Sequence, residues 1–127
     1  MKKIITVIAG ATLIALSISG IALAESEAIS TMARIAMNLN HFPSDDDKVV
    51  LKGIIDNDDS SEDETAIAIA LFNIQHKVGE ADAERLSAIA ANDASDESVR
   101  KLAGIVLNIH HAASDGDKAT LATLASM

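Results

Sequence analysis

The sequence predicts an all-α fold: three helix-turn-helix units of 35 residues, stacked as a short right-handed α-solenoid or a compact six-helix bundle. Three observations predict it. Asn38, Asn73 and Asn108 recur at a spacing of 35, and so do His41, His76 and His111, and Asp47, Asp82 and Asp117. Glu27, Glu62 and Glu97, Ala33, Ala68 and Ala103, and Leu51, Leu86 and Leu121 keep the same register without a gap. Between them lie stretches of Ala, Ile and Leu punctuated by Asn-Asp and Ser-Asp clusters, the pattern of short amphipathic helices.

The elements follow in chain order. Lys2 and Lys3 precede an apolar run from Ile4 to Ile21, and Ala22-Leu23-Ala24 then supplies small residues where a signal peptidase reads. This predicts a signal peptide over residues 1–24, cleaved before Glu25, and hence a bacterial periplasmic or secreted protein. The repeats then fall at about 25–59, 60–94 and 95–127. In each, a first helix is expected near Ser26–His41, Ser61–His76 and Asp96–His111, and a second near Asp45–Asp56, Glu80–Ala91 and Asp115–Ser126. Ser44 and Ser114, each followed three residues on by Asp47 and Asp117, read as helix caps, with Gly79 the weaker version. Asn57 and Asn92 suit a left-handed turn closing the second helices. One helix pair cannot bury its own apolar face, so the copies must stack. Ala66–Phe72 is apolar on every side, which suits a middle repeat.

The paired helices at fixed period resemble the α-solenoid group, which includes the tetratricopeptide and HEAT repeats. The resemblance covers residues 25–127 and rests on period and pattern. The large aromatics and closing Pro of the tetratricopeptide consensus are missing, for the one Pro is Pro43.

Composition narrows the function. Nineteen acidic residues against ten basic give a net charge of -9, which disfavours binding to nucleic acid. With no Cys there is neither disulfide nor thiol chemistry, and with Phe42 and Phe72 as the only Phe, and no Trp or Tyr, platforms for stacking bases or sugars are absent. Ser, His and Asp recur at helix caps without a Gly-rich oxyanion turn, so catalysis is not expected.

The repeated polar residues remain. Glu27, Glu62 and Glu97 read as first-turn carboxylates, and His41, His76 and His111 as last-turn groups that suit the negative helix end. Asn38, Asn73 and Asn108 sit where Asn is a mediocre helix former, so each is either a structural tie or a donor–acceptor pair offered to a peptide backbone. The expected function is a non-catalytic protein- or peptide-binding module. Its binding face is Arg34, Asn38, His41, Asn73, His76, Asn108 and His111. No cofactor is expected. No metal site is expected either, because helix rows about 10 Å apart cannot share an ion whose bonds are near 2.1 Å. The alternatives are a metal- or cation-binding protein using the repeated Asn, His and Asp, and a small acidic inhibitor or immunity-like protein.

Overall fold

A computed structural model describes the backbone from Ala15 and the side chains from Glu27 to Met127. The signal peptide expected over residues 1–24 lies outside the residues whose side chains are described. Among the described residues there are six α-helices: α1 (Ala15–Asn38), α2 (Asp45–Asp56), α3 (Glu62–Asn73), α4 (Glu80–Ala90), α5 (Glu97–Leu107) and α6 (Asp115–Ala125). None of them is long and apolar enough to cross a membrane.

The second helices begin where the caps place them. Ser44 Oγ accepts from the Asp47 N–H and Ser114 Oγ from the Asp117 N–H, both at 3.1 Å, while Gly79 offers no side-chain cap. At α3 the Ser61 hydroxyl and the Glu64 carboxylate close a reciprocal capping box. Asn57 does not enter the left-handed region: its φ is -80°. Its amide oxygen and that of Asn92 instead accept the N–H two residues on, from Asp59 at 2.9 Å and Ala94 at 3.0 Å. A short polar side chain stabilises such a turn without positive φ.

The helices are arranged as a closed ring. The first helices of the repeats, α1, α3 and α5, touch one another and form the inside. They carry most of the core: Met32, Ala33, Ile67, Ala68, Leu71, Leu102, Ala103 and Val106 are wholly buried. The second helices lie outside and bury fewer residues: Leu51 on α2, Leu86 and Ile89 on α4, and Leu121 and Leu124 on α6. Each second helix packs on the next repeat's first helix, α2 on α3 and α4 on α5, and α6 returns to pack on α1. Ser30 secures that return, donating from Oγ to the Ala125 carbonyl at 2.9 Å across 95 residues of sequence. No repeat is therefore an end or a middle. The apolar surround of α3 reflects its place in a ring in which all three first helices are enclosed.

Candidate metal centre

Each inner helix stops at or just before an Asn, some three residues sooner than the pattern suggests, and the chain turns out through a short apex. A buried apolar residue pins each side of the turn: Leu39 and Pro43, Ile74 and Val78, Ile109 and Ala113. Midway between the pins stands the repeated His, exposed, with φ of 71° at His41, 71° at His76 and 70° at His111. These are the only non-Gly residues with positive φ among the described residues. The Phe42 N–H donates to the Asn40 carbonyl at 2.8 Å, and the Ala112 N–H to the His110 carbonyl at 2.7 Å. A three-residue turn so bonded around a positive φ is a rare and strained conformation. His is among the residues more often found at positive φ, but each instance still costs about 1–3 kcal/mol.

Main-chain hydrogen bonds offset that cost. The His41 N–H donates to the His111 carbonyl at 2.5 Å, the His76 N–H to the His41 carbonyl at 2.6 Å, and the His111 N–H to the His76 carbonyl at 2.6 Å. The three repeats thus close on one another through a cycle of backbone bonds, each contributing about 0.5–1.5 kcal/mol. In this left-handed turn each His presents both its N–H and its C=O to its neighbours around the axis.

The side chains converge with the backbone. The three imidazoles meet edge to face, with centroids 4.9–5.0 Å apart. One ring nitrogen from each lies within 4.8 Å of the others. His76 Nδ1 and His111 Nδ1 stand 3.1 Å apart, and His41 Nδ1 is 2.7 Å from Asn40 Oδ1. Three nitrogens bound tetrahedrally at about 2.1 Å would be about 3.4 Å apart, so small rotations of exposed side chains would bring this set onto one ion.

The distance argument against a shared ion thus does not hold. It assumed an open stack, and ring closure replaces rows about 10 Å apart with a single cluster.

The other residues of the expected binding face are not part of the cluster's contacts. Arg34 is exposed on α1 and its guanidinium donates to Ser30 Oγ at 3.0 Å, which places it at the α1–α6 seam. Asn38, Asn73 and Asn108 are exposed at the ends of their helices, and their amides bond no other described residue. Asn40 escaped the sequence reading because it is not repeated: Gln75 and His110 hold its register. A usable signal was present in the chain, an apolar-x-His-x-apolar pattern recurring every 35 residues.

No protein-family model matches the chain, and neither does a curated protein or a solved structure.

Proposed function

We propose that the protein binds one divalent transition-metal ion through His41, His76 and His111. The observation that carries this reading is the convergence of three exposed imidazoles whose ligand atoms lie within 4.8 Å of one another. Imidazole suits zinc, copper and nickel, and three protein ligands leave a fourth position for water or another donor. The backbone adds support. A turn with positive φ is cheapest with Gly or Asn, yet all three copies carry His, while the residues on either side differ. A strained conformation retained in triplicate points to a task for the side chain. The peptide-binding reading relied on rows of His spaced along a face; around an axis with rings 4.9–5.0 Å apart, one small ligand fits better.

Calorimetric titration of chelator-treated protein with zinc tests the reading. One ion per chain is expected, with affinity reduced at least about 100-fold in His76→Ala, beyond the 10–100-fold typical of losing an outer-shell partner. Zinc binding that survives replacement of all three His by Ala would overturn it.

A further inference from the structure

The ring has threefold regularity at its apex and loses it in one place. By the 35-residue register, the positions of Phe42, Lys48 and Phe72 correspond to Lys77, Ala83 and Leu107 at the next joint and to Ala112, Lys118 and Met37 at the seam. Both Phe residues of the chain, with no Trp or Tyr elsewhere, therefore stand at the joint between the first two repeats. There they line an open cleft of about 450 Å³ together with Lys48, Gln75 and His76. His76 is thus a wall of the cleft and a member of the imidazole cluster.

The chemistry of the lining is specific. Phe42 is 59% exposed, and it stands one residue beyond His41. The Lys48 ammonium lies 5.8 Å from the centre of the Phe72 ring, and it has no carboxylate partner among the described residues. The cleft's lining holds this Lys and neither Asp nor Glu, which suits an acid group. Two aromatic faces mark a preference for a flat apolar body. Because His76 belongs to both the cleft and the His cluster, a carboxylate held in the cleft would lie beside the residues that would hold an ion, and a carboxylate oxygen is a competent ligand.

We propose that this cleft takes a small aromatic carboxylate, its ring against Phe42 and Phe72 and its acid group on the ion, with Lys48 beside it. The proposal rests on the metal reading above. Cobalt(II) serves as the probe, because its visible absorption reports both ligation by the His residues and entry of a further ligand. Titration of the cobalt-loaded full chain with benzoate and with acetate should change that absorption at concentrations at least ten-fold lower for benzoate. Phe42→Ala, an exposed site whose change spares the core, should bring benzoate to within about two-fold of acetate while leaving cobalt affinity unchanged. Lys48→Gln should weaken benzoate several-fold, again with cobalt affinity unchanged.

Equal responses to the two acids in the unaltered protein, or a preference that survives Phe42→Ala, would overturn the cleft assignment and leave the metal reading standing. Failure of cobalt to bind would overturn both. Sedimentation gives the remaining outcome: a protein that dimerises through Phe42, with benzoate without effect, would assign the cleft to a second copy and overturn the proposal.

Discussion

At His76 the backbone carries a penalty that glycine would not feel, while the side chain itself is exposed and buries little. In metal-free protein His76→Gly should therefore be more stable than His76→Ala by about 1–2 kcal/mol, since both lose the imidazole and only Gly relieves the φ. Urea midpoints of the two variants measure it, and equal midpoints would show that the turn relaxes. The Asn residues behave differently. Asn73 closes a helix that is apolar almost all round, yet it is exposed at the helix end, with its amide unbonded among the described residues. Asn73→Ala, like Asn38→Ala and Asn108→Ala, should change stability by less than about 0.5 kcal/mol, and a midpoint well below the unaltered protein's would reveal a partner for the amide. Identity and spacing of these residues were legible in the sequence. Their roles were not, because a helix that stops three residues early moves Asn to its end and His beyond it, and the stop is imposed by contacts with the other two copies.

Among the elements, the second helices were read almost to the residue. Local chemistry decides them: a Ser cap, acidic residues in the first turn and one invariant buried Leu. What local chemistry does not encode is the element's neighbour. α6 looks like a free terminal helix in sequence, whereas it packs on α1 as α4 packs on α5. Leu86 and Leu121 are both wholly buried in consequence. Leu86→Ala and Leu121→Ala should each cost about 2–5 kcal/mol, and within about 1 kcal/mol of each other. Thermal or urea denaturation checks this, and a markedly milder Leu121→Ala would mean that the seam frays.

For the whole molecule, the period announced three units but not their closure. An open stack and a ring share the same repeat, and differ only in whether the last helix meets the first. That choice falls to long-range contacts such as Ser30 to Ala125, which leave no periodic trace. Closure also determines what an ion does to stability. A ligand that binds only the folded ring at 100 times its dissociation constant stabilises it by about 2.7 kcal/mol. Zinc should therefore raise the melting temperature, and a chelator should reverse the rise. Scanning calorimetry with and without zinc tests it; a melting temperature indifferent to zinc would overturn the metal reading.

The cycle of main-chain bonds has one more consequence. All three run in the same sense, each His giving its N–H to the repeat before it, so every His N–H at the apex is already engaged. The flanking pins that hold the turn are likewise remote from the imidazoles in chemistry, being apolar and buried. The scaffold of the apex is thus separate from its chemistry, and a visitor there meets side chains alone. Such a mount is interchangeable: Asp or Cys at the three apices would sit on the same backbone frame, giving harder or softer donors and a different choice of ion. On the metal reading proposed above, ion preference is in that sense written in three letters of the sequence, and the remaining letters hold them in place.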